Sequence, residues 1–202
     1  PPGKEYSFNQ SLGEISGRTG FRSAYIIQGG RTVLGDGGGV CQVSTTVFRA
    51  ALDAGLPITM RRGHSYRVGY YEQEYALGLD ATVYSPTVDF RFQNDTSEHI
   101  LVVTKNNAQT SHLLIELWGT SDGRQSELYD FKTWGHVPPK PPVYVDDPSL
   151  PAGRLQQIDW AAAGARASFA YKVTRDGEVI QDRVFSTVYQ PWASVYLRGT
   201  GQ

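Results

Sequence analysis

The sequence has 202 residues, and its 19 basic and 20 acidic residues leave a net charge of −1, which argues against general electrostatic attraction to nucleic acid or to an anionic membrane. Hydrophobic residues make up 40% of the chain, enough for the core of one large or two small domains. No apolar run reaches the roughly 18 residues that a membrane span requires. A single cysteine excludes an intramolecular disulfide and an all-cysteine metal site.

The first predicted elements lead to a glycine-rich loop. The chain starts without an initiator Met, a basic n-region or an apolar h-region, so we expect it to be a piece of a longer protein whose upstream part could carry an anchor. Residues 24–27 predict a short strand or a helix end. Residues 36–39 form the glycine loop, and the clearest helix follows at about 40–54, where Gly55 and Pro57 end it.

The rest of the first half is predicted to be mostly strands. The predicted strands are 68–71, 80–84, 88–92, 100–104 and 113–118. An Asn-Asn pair between the last two indicates a turn, so we expect them to pair antiparallel. We therefore predict an α+β first domain at 1–136, in which one buried helix packs on mostly antiparallel strands.

Prolines mark the predicted domain boundary. Six of the eleven lie between Pro138 and Pro151, which favours an extended spacer, and we place a linker at 137–151. Beyond it, residues 169–174 and 179–185 alternate with period two around an Asp-Gly pair, a strong hairpin signal. With a further short strand at 195–197, these patterns predict a small all-β module at 147–202.

Cys41 lies in the first turn of the predicted helix, directly after the glycines. Unpaired N–H groups and the helix dipole stabilise a thiolate there, and cysteine pKa values can fall from about 8.5 to as low as about 3.5 at such places. The loop and first turn also offer N–H groups to an oxyanion. Alternatively, Cys41 is a small buried hydrophobic residue at a tight turn. The candidate oxyanion and pocket residues are Gly38, Gly39, Val40, Gln42, Ser44 and Ser65.

A histidine and an acid would complete a catalytic group with Cys41. His64 follows the helix after a short loop, so the chain can return past the helix N-terminus; the other three histidines are expected at strand edges or in solvent. Asp80 heads a predicted strand after a glycine and is the candidate to orient His64, whereas Asp89 could pair with Arg91. A structural role is the alternative for each residue. The histidines are not separated by the roughly two to four residues that are typical of zinc ligands. We therefore expect neither a metal nor a cofactor.

These residues resemble a known family. The stretch 37–46, GGGVCQVSTT, resembles the signature of the VanW domain family, and the likeness extends through His64-Ser65 and 80–83 to cover about residues 1–130. The resemblance implies a bacterial protein that is membrane-anchored or secreted. It also implies kinship with cysteine L,D-transpeptidases that crosslink peptidoglycan, although many members have no assigned activity. One departure is an Arg-Arg pair at 61–62, where the family often has Glu-Arg.

The C-terminal residues, about 140–202, are similar to the G-five domain, a β module of bacterial surface proteins often associated with carbohydrate. Trp160 and Trp192 are candidates for glycan contact, with packing as the alternative.

The favoured hypothesis is a cell-wall or cell-surface acyltransferase that acts on peptidoglycan stem peptides through a Cys41 thioester. The alternatives are a non-catalytic peptidoglycan- or glycan-binding surface protein and a thiol hydrolase of other peptides.

Overall fold

The computed structural model describes residues 1–28 and 31–201, with side chains for all of these except 25–28 and 31–34. The first part of the described chain holds two α-helices among short antiparallel strands. The elements are β1 (Glu5–Ser7), α1 (Phe8–Leu12), β2 (Ser23–Gln28), β3 (Arg31–Asp36), α2 (Val40–Asp53), β4 (Ile58–Met60), β5 (Arg91–Gln93), β6 (Leu101–Asn107) and β7 (His112–Trp118). One sheet has the strand order β1-β5-β4, while β2–β3 and β6–β7 are two-stranded antiparallel sheets.

The second part of the chain is built from longer strands in two three-stranded sheets. The strands are β8 (Gln125–Val137), β9 (Val143–Pro151), β10 (Leu155–Asp159), β11 (Gly164–Arg175), β12 (Glu178–Tyr189) and β13 (Val195–Gly201). The first sheet is antiparallel with the order β12-β11-β8. The second has the order β10-β13-β9, and β9, from the proline-rich segment, runs parallel to β13. The predicted Asp-Gly hairpin is confirmed as the β11–β12 connection.

Helix α2 is buried between the two parts, as its apolar faces predict. On one side Val43 and Val47 line a groove with residues of the β6–β7 hairpin. On the other side Phe48 makes edge contacts with Phe90 and Phe185, at centroid distances of 5.6 and 6.0 Å. Because Phe185 belongs to β12, a single hydrophobic core joins the helix to the long strands. Among the described residues, neither helix is long and apolar enough to cross a membrane.

Two predicted strands are wrong. Residues 69–71 form a turn of 3-10 helix, and residues 80–83 lie outside the strands. The backbone of 80–83 bonds to other partners: the Ala81 N–H donates to Thr45 Oγ1 at 3.1 Å, and the Thr82 N–H donates to the Arg62 carbonyl at 2.8 Å. This segment therefore passes α2 as an irregular chain. In the 88–92 prediction, the strand begins later, at Arg91.

Candidate active site

The glycine loop brings the start of α2 against strand β2. Gly39 is the N-cap and has φ 87°, a left-handed conformation that glycine adopts without strain. At Gly38 a Cβ would lie 2.3 Å from the Cβ of Ala24, so only glycine permits this approach. The loop thus fixes Cys41 in the first turn, next to the irregular segment 80–83.

The helix start leaves fewer oxyanion donors than the sequence predicts. The Val40 N–H donates to the Gly37 carbonyl at 3.2 Å, and the Gln42 N–H donates to the Gly39 carbonyl at 3.0 Å. Both N–H groups are therefore already bonded and, contrary to the prediction, are not free to stabilise an oxyanion. The N–H groups of Gly39 and Cys41 are the remaining candidates from this turn.

Of the two roles open to Ser44, lining the pocket or bonding back to a helix carbonyl, the structure shows the second, because the hydroxyl lies 3.1 Å from the Cys41 carbonyl oxygen. The Ser44 side chain is fully buried, and its hydroxyl donates to the Ala81 carbonyl at 2.6 Å. The neighbouring Thr45 accepts a hydrogen bond from the Ala81 N–H. Both hydroxyls therefore fasten α2 to segment 80–83, which holds Asp80 and Thr82 near Cys41.

The half-buried Cys41 thiol has polar neighbours from two parts of the chain. Its Sγ lies 3.6 Å from Thr82 Oγ1 and 3.5 Å from the Val83 carbonyl oxygen, and the nearby His64 imidazole acts on the pKa of the thiol. Burial raises the pKa of the thiol, but the interaction with the His64 imidazole outweighs burial. The net direction is a lowered pKa, which favours the thiolate.

His64 joins the thiol to Asp80. Its Nδ1 lies 2.5 Å from Asp80 Oδ2, and its backbone N–H donates to the same oxygen at 2.7 Å. Burial alone lowers the pKa of His64, but the hydrogen bonds and charges of Asp80 and Cys41 raise it to about 9. Since Nδ1 is bonded to Asp80, Nε2 is the ring nitrogen that can bond the thiol. The structure thus brings the three predicted catalytic residues together.

Asp80 is buried and surrounded by hydrogen-bond donors. Burial raises the pKa of its carboxyl, but the hydrogen bond to His64 and the charge of Arg61 lower it to about 2. Arg61 Nε donates to the Asp80 carbonyl at 2.7 Å, and its Nη2 lies 3.3 Å from Oδ1. Tyr189 donates its hydroxyl to Oδ1. Asp80 therefore stays ionised and faces His64 as an anion.

Sequence reasoning missed Arg61 and Tyr189. The arginine is in the Arg-Arg pair that departs from the family pattern, and the need of a buried carboxylate for a counter-charge could have singled it out. Tyr189 lies 109 positions from Asp80, and no local pattern connects the two.

The remaining candidates occupy separate places. Asp89 accepts hydrogen bonds from the Ser7 hydroxyl and from Arg91 Nε, at 2.6 and 2.7 Å, so it ties β1 to the segment before β5. Trp160 is 67% exposed. Trp192 stacks on Tyr66 with ring centroids 4.4 Å apart.

The last predicted pocket residue and the possibility of a metal site remain to be described. Ser65, a predicted pocket residue, is exposed, and its carbonyl accepts the Gln190 N–H at 2.7 Å. Within 1–28 and 31–201, no group of three His, Cys, Asp or Glu side chains is arranged to hold a metal ion.

Comparison with known proteins places the site in a matched region. The family model described as "VanW like protein" matches residues 1–118. The uncharacterized protein YoaR of Bacillus subtilis is 43% identical over 104 residues, 52% of this chain and 33% of its own. The vancomycin B-type resistance protein VanW of Enterococcus faecalis is 28% identical over 96 residues, 47% of this chain and 35% of its own. The chain spans about a third of the length of these curated relatives.

Two solved structures are also similar. The G5 domain of HP0197 shares 22% identity, with 38% of this chain and 97% of that chain covered and a TM-score of 0.20. The G5 domain of IgA1 protease shares 13% identity, with coverage of 41% and 100% and a TM-score of 0.24.

Proposed function

The chain belongs to the VanW-like protein family, and we propose that it is a cell-wall cysteine acyltransferase of the L,D-transpeptidase type. The observation that supports the chemistry is the grouping of Cys41, in the first turn of a buried helix, with His64, whose Nδ1 bonds to the Asp80 carboxylate. Family resemblance supports the substrate class, peptidoglycan stem peptides, and a location at the bacterial surface or cell wall.

In the first half-reaction the Cys41 thiolate attacks an amide carbonyl of a donor stem peptide. The carbonyl oxygen becomes an oxyanion, which the N–H groups of Gly39 and Cys41 can stabilise, at about 3 kcal/mol per donor. The tetrahedral intermediate collapses as the His64 imidazolium gives its proton to the departing amine. The terminal amino acid leaves, and the acyl group remains on Cys41 as a thioester.

In the second half-reaction the amine of a neighbouring stem peptide attacks the thioester. Neutral His64 takes the amine proton, the new amide forms, and the thiolate leaves as the imidazolium is restored. The Asp80 carboxylate stabilises that imidazolium through Nδ1 and holds its orientation. Water in place of the amine would give a carboxypeptidase side reaction.

The test is capture of the thioester. Purified protein is incubated with synthetic stem peptides and analysed by intact-mass spectrometry; we expect an added mass equal to that of the donor minus that of its free terminal amino acid. Cys41→Ser removes the thiolate and His64→Ala removes the proton carrier, so both should lose the adduct, whereas the exposed-histidine control His99→Ala should keep it. An adduct that persists in Cys41→Ser, or no adduct in the wild type with any stem peptide, would contradict the proposal.

A second candidate function is non-catalytic binding of peptidoglycan glycan strands. The exposure of Trp160 and the stacked Tyr66–Trp192 pair favour it, because exposed aromatic faces stack on sugars. Under this alternative, Trp160→Ala and Trp192→Ala should weaken sedimentation with purified peptidoglycan, while Trp118→Ala, on the exposed face of β7, should not. Equal binding by all three variants would contradict a glycan role for these tryptophans.

A further inference from the structure

We propose that Tyr189 of β12 is a positioning residue for the Cys41 nucleophile, acting through Asp80 and His64. This inference rests on the proposed function of the site. Tyr189 lies outside residues 1–118, to which the family model is matched. The long strands of the second part would thus contribute directly to the active site, in addition to packing against α2.

The two carboxylate oxygens of Asp80 have different hydrogen-bond partners. Oδ2 accepts two hydrogen bonds from His64, one from Nδ1 and one from the backbone N–H. Oδ1 accepts the Tyr189 hydroxyl and a longer contact of 3.3 Å from Arg61 Nη2. Burial and the neighbouring carboxylate raise the pKa of Tyr189, so its hydroxyl keeps the proton that it donates. Without that hydroxyl, the weaker Arg61 contact would hold Oδ1, and the carboxylate could turn away from Nδ1.

The end of β12 also contacts the loop that carries Arg61 and His64. Thr187 Oγ1 accepts a hydrogen bond from Arg61 Nη1 at 2.8 Å. A Cβ on Gly63 would lie 2.4 Å from Thr187 Cγ2, so the chain before His64 runs directly against this strand. Just after β12, the Gln190 N–H donates to the Ser65 carbonyl. The loop that carries Arg61 and His64 is therefore fastened to β12 on both sides of His64.

The experiment compares two tyrosine variants in the full chain. Tyr189→Phe removes the hydroxyl from Asp80. Tyr171→Phe is the matched control, because Tyr171 is also buried and lies on the adjacent strand β11. Its hydroxyl donates to the Leu56 carbonyl at 3.1 Å and not to Asp80. The readout is the pH midpoint of Cys41 alkylation by iodoacetamide, measured by mass spectrometry.

We expect Tyr189→Phe to raise the alkylation midpoint by about 0.5 pH unit or more, because a loosened Asp80 stabilises the imidazolium less and so the thiolate less. Tyr171→Phe should leave the midpoint unchanged although it also loses a buried hydrogen bond. An unchanged or lowered midpoint in Tyr189→Phe, or an equal shift in both variants, would overturn the proposal.

A second pair of variants keeps the proposal testable if Tyr189→Phe does not fold. Thr187→Val removes the acceptor for Arg61 and should raise the midpoint, whereas Thr187→Ser keeps the hydroxyl and should not. Equal midpoints in these two variants would count against the role of β12. The readout needs no peptidoglycan, so a midpoint shift without any stem-peptide thioester would refute the proposed substrate and leave the positioning role standing.

Discussion

Replacing Asp80 by asparagine separates the electrostatics of the site from its shape. Asp80→Asn keeps the size of the side chain but removes the charge that faces His64 Nδ1 at 2.5 Å. Burial lowers the pKa of His64, and without the Asp80 charge less remains to raise it. The imidazolium and its thiolate partner therefore become less stable. We expect the alkylation midpoint of Cys41 to rise by about one pH unit or more, and the alkylation rate below that midpoint to fall about tenfold.

The same substitution has a measurable cost in stability. The Arg61 side chain is 3% exposed, and loss of its counter-charge should lower the free energy of unfolding by about 3–5 kcal/mol. Asp89→Asn is the control, because Asp89 is also buried and paired with an arginine, Arg91, but lies away from the thiol. It should lose stability in urea while its alkylation midpoint stays at the wild-type value. A wild-type midpoint in Asp80→Asn would refute the reasoning.

Three further predictions address the core, the glycine loop and acid stability. Phe48→Ala should lower the free energy of unfolding by about 3–5 kcal/mol. The control Val184→Ala, at a side chain that is 66% exposed, should change it by less than about 0.5 kcal/mol. A similarly small effect of both substitutions would contradict a core shared by α2 and the long strands. Gly38→Ala should destabilise the protein in urea, and adding Ala24→Gly should restore part of the loss; no recovery would mean that the close approach of these residues is unimportant. The pKa of Asp80 in the folded protein, about 2, lies below the usual aspartate value of about 3.9. The stability that Asp80 contributes above pH 3.9 should therefore be lost as the pH falls through about 2. An Asp80→Asn variant whose free energy of unfolding falls just as steeply with pH would contradict this.

Local signals in the sequence predicted the elements that depend on local interactions. The glycine loop and the Gly-Leu-Pro sequence bound α2, and the predicted helix at 40–54 agrees with the observed helix to within one residue. The Asp-Gly pair fixed the β11–β12 turn, and the strands predicted at 100–104 and 113–118 pair as β6 and β7. In each case neighbours in the sequence determine the backbone conformation.

Contacts between distant residues account for what the sequence did not reveal. Segment 80–83 alternates like a strand, but hydroxyls of α2 and the carbonyl of Arg62 take its hydrogen bonds. The alternation of apolar and polar residues in β11 and β12 indicates that one face is buried, but it does not indicate which element covers that face. In the structure, α2 covers part of it. Candidate roles for Cys41, His64 and Asp80 followed from residue type and placement, whereas Tyr189 could be found only in three dimensions.

The central claim is that Cys41 is a thiolate paired with the His64 imidazolium in the folded protein. Its most direct test is the ultraviolet absorbance of the thiolate near 240 nm as a function of pH, measured as wild type minus Cys41→Ala. We expect that one thiolate is already present at pH 7, with a midpoint well below the usual cysteine value of about 8.5. A single step centred at 8.5 or higher would contradict the ion pair and the acyl-transfer chemistry built on it.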